Sequence, residues 1–486
     1  MSLFNLKIIS YKNIFYFFLW SFGVCYWYYF CIYGPPSQVY LDWYLQNVFL
    51  NIFKEGIHDN KIPWFYSPSI YHGNHFFLAN PEITITPDIF LLKYIENNFF
   101  IFIHIIIFFT IGFFGIKKIG KELSLFSFFF FYLLFFFNGF IMIRLESGWF
   151  QYIGIFILPY IFLTISKMGN QELNFRKDLK NIFNFRFFKN KMFFKLPVKL
   201  GLLLSLLMFN GSYHLVIWII LFFTIVLIFN KNFFWEYIFS ISIFVLISMF
   251  RIFPGILIFR SPSGFLTGYP DVMVLFDSLI FKNPDIDVLI DGVKWGPLEF
   301  QAYIGPIIFL LFLFALFNFN ILKKHYMFRK EFLFASLIML LFSYGSNYEI
   351  IHQLPLLFTK AERISTRFII IPLYFLILIS IYFLDYLYKN KNSKLVLFYF
   401  APIVVYDYLD ISLNYVKIKK FYFQDSIERS IVSENLLPPL EVFDLSVYEI
   451  YKFLTLMSFC ISIFFLIVFL IIYVKLKVRV SPIKPN

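Results

Sequence analysis

The chain has 486 residues, 60% of them hydrophobic, 24% aromatic and only 15% charged, with a formal net charge of +13. Its mean hydropathy of +0.75 excludes a soluble globular domain. The positive balance invites a nucleic-acid reading, but the charges are grouped by loop in a way that argues against nucleic acid as a partner.

A helix needs about 20 apolar residues to cross a bilayer core. On that ruler the sequence predicts about twelve spans: 13–33, 98–116, 124–143, 149–166, 197–210, 213–230, 235–253, 303–320, 331–344, 367–386, 394–411 and 452–474. In lipid each must satisfy its own backbone, so all are expected as helices. The fold class is an all-α polytopic membrane protein, with 1–486 forming a single membrane domain. Residues 1–33 read as an uncleaved span, because the apolar stretch is long, aromatic and not followed by a small-x-small site. Cys25, Cys31 and Cys460 lie in spans and imply neither disulfide nor metal. The phenylalanine runs Phe128–Phe131 and Phe135–Phe137 read as lipid-facing filler.

Between spans, lysine and arginine collect in alternate loops. Lys117, Lys118 and Lys121 share one turn; Arg176, Lys177, Lys180, Arg186, Lys189, Lys191 and Lys195 fill 167–196. Lys323, Lys324, Arg329 and Lys330 group together, as do Lys389, Lys391 and Lys394, and then Lys475, Lys477 and Arg479. By the positive-inside rule these loops and both termini are cytoplasmic. The loop 34–97, the loop 254–302 and the segment 412–451 then face outward. Within them Leu41–Phe53 and Val272–Phe281 read as short helices, and the basic, aromatic loop 167–196 as a segment lying on the inner surface.

Asp42 is the first chemical candidate, just beyond span one. A carboxylate there can act as a general base on an acceptor hydroxyl. Arg363 and Arg367 lie four apart at the entrance to span 367–386, so on a helix they share one face. Paired guanidiniums at that depth suit a phosphate, with Glu362 as a surface partner. The turn Arg144-Leu145-Glu146-Ser147-Gly148-Trp149 and the turn Asn210-Gly211-Ser212-Tyr213-His214 are polar and outward-facing. His58, Asp59, His72 and His75 match no strong metal-ligand spacing. Asp285, Asp287 and Asp291 resemble part of a cation loop, without its glycine or terminal glutamate in register. No metal ligand is assigned, and a divalent cation (Mg or Mn) stays open as a cofactor. The sequence has no P-loop, GxSxG, Rossmann fingerprint or HExxH.

The string Asp42 … Gly56 … Ile62-Pro63-Trp64 … Ser67-Pro68 … Gly73 … Asn80-Pro81 resembles the first outer loop of the YfhO-type bacterial membrane proteins. Three later stretches are similar in order: Asn210–His214, Glu299-Phe300-Gln301-Ala302-Tyr303-Ile304-Gly305, and Gly345 … Leu354-Pro355 … Arg363 … Arg367-Phe368. Ser365 departs from the family's usual proline, and a Pro-Gln is missing after His214. The resemblance covers most of 35–375. It implies a GT-C-like fold in a bacterial inner membrane, a polyprenyl-phosphate-linked sugar as donor, and Asp42 as the first-loop acid. The expectation is an inverting glycosyltransferase acting at the extracytoplasmic face on an acceptor glycan or lipid, among membrane lipids. Asp42 is its catalytic base, and Arg363 and Arg367 hold the donor phosphate. Trp64, His72, Arg144, Glu146, His214, Glu299 and Tyr303 contact substrate. A transporter or flippase, or a non-catalytic protein of the same fold, are the alternatives. The transporter reading looks for interrupted helices and mid-membrane charges, with Asp385 and Asp407 the nearest candidates.

Overall fold

Lipid offers a peptide N–H no partner, so an apolar chain of this composition must close its hydrogen bonds within helices. A computed structural model gives the arrangement and describes residues 11–38, 42–59, 80, 82–168, 191–258, 267–282, 288–290, 293–322, 325–353, 362–390, 394–414 and 445–478. Among them seven helical segments are long and apolar enough to cross a membrane: Tyr11–Ser37, Asn97–Glu122, Leu125–Glu146, Phe150–Lys167, Lys231–Ile256, Ser365–Lys389 and Ile450–Lys475. Two shorter apolar helices are Tyr213–Phe229 and Pro306–Phe317. The protein is an all-α membrane protein.

The first helix, α1 (Tyr11–Tyr33), turns Trp27 and Phe30 inward and leaves Phe17 and Phe18 exposed. A loop helix, α2 (Trp43–His58), follows, and then α3 (Asn97–Ile119), which packs along α1. Trp20 Nε1 donates to Thr110 Oγ1 across that seam at 3.0 Å. The expected span 124–143 is not one helix. It runs as α4 (Leu125–Phe136), breaks at Phe137–Asn138, and resumes as α5 (Gly139–Glu146). Asn138 makes the break tolerable. Its side chain accepts from Ile141 N at 3.1 Å and donates to the Leu134 and Phe135 carbonyls at 3.1 and 3.0 Å, while Gly139 N reaches the Tyr303 carbonyl at 3.0 Å. The following span opens as a 3-10 helix, Phe150–Ile157, and becomes α6 (Leu158–Lys167).

Then come α7 (Lys191–Phe209), α8 (Tyr213–Phe229), α9 (Phe234–Ile258), α10 (Val272–Ile280), α11 (Pro297–Phe300), α12 (Pro306–Phe317), α13 (Lys330–Ser343) and α14 (Gly345–His352). Last are α15 (Ile370–Lys389), α16 (Lys394–Asn414) and α17 (Leu445–Val478). The centre is α15, buried at every residue from Ile370 to Ile381 and packed on α4, α12 and α13. One group stands beside it, α7, α9 and α17, with Phe250 N donating to Ser462 Oγ at 3.4 Å. The phenylalanine runs are not lipid-facing: Phe128, Phe130, Phe131, Phe135, Phe136 and Phe137 are all buried. α4 is enclosed by α1, α3 and α15, so it is apolar on all sides.

Extended chain also occurs. Val288–Ile290 and Val293–Trp295 pair as an antiparallel hairpin. Thr267 bridges Ile364 and Tyr269 bridges Tyr344, so residues 267–269 run between the start of α14 and the approach to α15. The turn around residue 262 and the segment 415–444 lie outside the described residues.

Candidate functional site

One end of the bundle carries the start of α2, the end of α5, the start of α8 and the approach to α15. We call it the upper end. Five sequence-predicted residues meet there: Asp42, Arg144, His214, Glu299 and Arg367.

Gly148 builds the approach. It holds φ +90°, and a Cβ there would run into the Trp43 nitrogen and the Asp42 carbonyl carbon. Only glycine therefore lets the turn after α5 lie against the start of α2. Asp42 N donates to the Ser147 carbonyl at 3.0 Å, and Trp43 Nε1 donates to the Leu145 carbonyl at 2.9 Å. The next residue of that turn, Trp149, donates its Nε1–H to Asp42 Oδ2 at 2.5 Å. The Arg367 guanidinium sits 5.1 Å from the Trp149 ring centroid and that of Arg144 5.6 Å from it. One indole thus joins a carboxylate at its N–H to two cations at its face.

Asp42 is exposed, yet neighbouring protein strips water from its carboxylate. That loss raises its pKa, and the charges of Glu82 and Glu299 raise it further. The Trp149 hydrogen bond and Arg367 pull the other way and do not cancel the rise. A carboxyl held above its ordinary value is a better proton acceptor than a free aspartate.

Behind Asp42 lies a buried ion network. Glu299, in α11, takes Arg367 with both oxygens, from Nη2 at 2.8 Å and Nε at 3.2 Å. Its backbone carbonyl accepts from Arg144 Nη2 at 3.1 Å and from Thr366 Oγ1 at 2.9 Å. Arg144 is wholly buried and also donates to the Gln301 carbonyl at 3.4 Å. Arg367 Nη1 lies 3.6 Å from Glu362 Oε1. Glu362 Oε2 in turn sits 2.8 Å from His214 Nδ1 and accepts from Trp218 Nε1 at 3.1 Å. Burial works to raise the Glu362 carboxyl, but His214, Arg367 and the Ile364 N–H together hold it below the usual carboxylate range. Glu362 is therefore no surface partner; it is fully buried. Its sequence signal was the spacing of His214 and Trp218, four apart on one face of α8.

Arg363 and Arg367 do not share a helix face. Arg363 belongs to the bridge with Thr267, whose N–H its carbonyl accepts at 3.3 Å, and helical structure begins only at Ser365. Arg363 Nε is buried and has no hydrogen-bond partner among the described residues. Tyr303 belongs to another cluster, its hydroxyl 3.4 Å from Asp407 Oδ2. There Lys282 reaches Asp407 at 3.0 Å and Asp410 at 2.9 Å. Glu146 is the last residue of α5 and half-buried. Asp385 is tied to Lys389 at 2.6 Å and to the Ser124 N–H at 2.8 Å. Trp64, His72, His75, Asp285, Asp287 and Asp291 lie outside the described residues.

A second buried network, not foreseen from the sequence, pins the first loop. His104 of α3 places Nδ1 2.6 Å from Asp88 Oδ2 and Nε2 2.6 Å from Asn210 Oδ1. Asn210 Nδ2 donates to Ser212 Oγ at 2.7 Å and to the Gln151 carbonyl at 3.2 Å. Burial raises the Asp88 carboxyl, but the His104 hydrogen bond and charge outweigh it and leave it below its ordinary value.

Glu299 is consumed by two arginines, and no group of three or more His, Cys, Asp or Glu gathers among the described residues. No family model, curated protein or solved structure matches the chain.

Proposed function

We propose that the upper end is the site of an inverting glycosyl transfer from a polyprenyl-phosphate sugar to an acceptor glycan or lipid. The observation that carries this reading is the joining of Asp42, through Trp149, to the guanidiniums of Arg367 and Arg144. A base and an anion-holding group are the two parts such a reaction needs. The acceptor hydroxyl gives its proton to the Asp42 carboxylate. Its oxygen bonds to the anomeric carbon while the bond from that carbon to the phosphate oxygen breaks. The departing polyprenyl phosphate carries the negative charge toward Arg363 and Arg367. Arg367 already serves Glu299 and Glu362, so a donor phosphate shares it with the looser of the two, Glu362 at 3.6 Å.

The same reading takes the bundle as GT-C-like with about twelve spans, in a bacterial inner membrane with both termini cytoplasmic. The upper end is then extracytoplasmic, with the loops 34–97 and 254–302 and the segment 412–451 on that side. The test is transfer of labelled sugar from a panel of polyprenyl-phosphate donors to a membrane extract, by purified wild type and D42N. Transfer by wild type and its loss in D42N supports the reading; equal transfer by both removes Asp42 from the chemistry.

One observation favours a transporter instead. The α4–α5 break with its capped Asn138 is the kind of discontinuity that lines substrate paths. Flux of a lipid-linked sugar in proteoliposomes, with no transfer product, would support that alternative.

A further inference from the structure

The end of the bundle opposite the charged site carries a cluster of lysines on which no carboxylate among the described residues acts. Lys118 is in the last turn of α3, Lys167 ends α6, and Lys195 and Lys199 lie in the first turns of α7. Tyr160 of α6 is a common neighbour of Lys118 and Lys199. Lys118 Nζ stands 4.7 Å from its ring centroid and Lys199 Nζ 4.6 Å from it. Gly115 makes the first of these contacts reachable. A Cβ there would press on Pro159 Cβ at 2.9 Å and Tyr160 Cδ2 at 3.1 Å, so a bare glycine lets α3 lie against α6. Lys118 follows almost one turn later.

The charges acting on Lys199 are those of Lys118, Lys167 and Lys195, and those acting on Lys167 are Lys118 and Lys195. Among the described residues, no carboxylate acts on either lysine. Two other described lysines find acids: Lys389 has Asp385, and Lys282 has Asp407 and Asp410. Two ammoniums on one ring, with Lys167 and Lys195 close enough to act on Lys199, repel each other, and Lys199 is half-buried as well. Such a group keeps its full charge most readily where an anion joins it. Lysines at the ends of neighbouring membrane helices, beside a tyrosine, match the chemistry of a lipid phosphate. Apolar surface continues away from the cluster along α3, where Phe114 is exposed. A lipid fits both features; a free phosphate fits only the charge.

We propose that Lys118 and Lys199 at Tyr160, with Lys167 and Lys195 near them, bind the phosphate-bearing headgroup of an anionic phospholipid. The site is independent of the proposed transfer chemistry.

The test uses the full chain in a zwitterionic detergent. Phosphatidylglycerol, phosphatidylcholine and inorganic phosphate are added in separate arms. Bound lipid is counted by native mass spectrometry and the melting temperature is read in parallel. Phosphatidylglycerol is expected to stay bound and raise the melting temperature, and the other two are not. K118Q/K199Q should weaken phosphatidylglycerol binding by about 30-fold, at roughly fivefold per lysine. K231Q/K475Q, two exposed lysines away from Tyr160, should leave it unchanged. Without lipid, K118Q/K199Q should melt no lower than wild type, because it relieves repulsion. If that variant does not fold, K167Q/K195Q carries the same expectation. Equal phosphatidylglycerol binding by wild type and the lysine variant would overturn the site. An equal response to inorganic phosphate would overturn its assignment to lipid.

Discussion

Replacing Glu299 with glutamine isolates the charge that holds the upper network together. Glutamine keeps the volume, and the Glu299 backbone carbonyl keeps its bonds from Arg144 and Thr366. What disappears is one negative charge between two guanidiniums, Arg367 at 2.8 Å and Arg144 at 4.0 Å. Arg144 then loses its ion pair, and Arg367 keeps Glu362 at 3.6 Å. Removing one partner of a buried ion pair costs about 3–5 kcal/mol, because the other charge stays buried. At about 2.1 cal/mol/K of unfolding entropy per residue, a chain this long turns that into a fall of roughly 3–5 °C in melting temperature. Tryptophan fluorescence during thermal unfolding in detergent is a suitable readout, with Trp149 beside the lost pair. R367Q should fall by a comparable amount. The double variant E299Q/R367Q should melt higher than the sum of the two losses predicts, with a coupling of about 1–3 kcal/mol. A melting temperature for E299Q equal to that of wild type, or strict additivity in the double variant, would refute the reasoning.

Asp42→Asn should lose transfer while melting at or above the wild-type temperature at pH 7. The fold disfavours the Asp42 carboxylate, and asparagine can still accept the Trp149 N–H; a marked fall in melting temperature would make Asp42 structural instead. Gly148→Ala should destabilise by more than about 1 kcal/mol, since φ +90° is strained for alanine and its Cβ meets the start of α2. Proteolysis of the 42–59 segment would show the displaced helix. The depressed Asp88 carboxyl stabilises the fold at pH values above its ordinary unfolded value. That contribution is lost as pH falls through the lower folded value, so a melting-temperature profile from neutral to strongly acid pH should drop on the acid side, and D88N should flatten that drop.

The helices were legible because hydropathy is a long-range average: α1, α3, α8, α9, α15 and α17 all fall within a few residues of where apolar runs place them. The break at Asn138 was not, because one asparagine barely moves a window of twenty residues. What decides it is three hydrogen bonds from a single side chain and a carbonyl from Tyr303, far away in sequence. The same limit applied to the phenylalanine runs. Composition says that α4 is apolar, and only its neighbours say that it faces protein rather than lipid. At the site, Asp42, Arg144, His214, Glu299 and Arg367 were found by type and position, as charged or titratable residues where apolar spans begin or end. Their partners were not. Glu362 looked like a surface acid because its burial comes from α8, more than a hundred residues earlier. The Asp88–His104–Asn210 chain was missed for a related reason: His104 sits inside an apolar run, and nothing local marks it as bonded at both ring nitrogens.

Helix ends explain why the network takes this form. Arg144 lies in the last turn of α5, where a cation is favoured by the helix dipole. Arg367 lies in the first turns of the segment leading into α15, where a cation is disfavoured. Two carboxylates offset that: Glu299 with a two-pronged bond and Glu362 at longer range. Glu362 also stands at the start of α8, beside His214, so it meets the positive ends of two helical segments as well as a guanidinium. The guanidiniums there are thus balanced by carboxylates rather than by water, and Asp42 and Glu82 add negative charge beside them. An anion entering there is favoured to the extent that it replaces one of them or meets the unpartnered Arg363 Nε. Glu299 and Glu362 are already engaged by guanidiniums and are not open to a cation. Arg367 is the cation that an arriving anion meets on those terms, in exchange for its longer contact with Glu362.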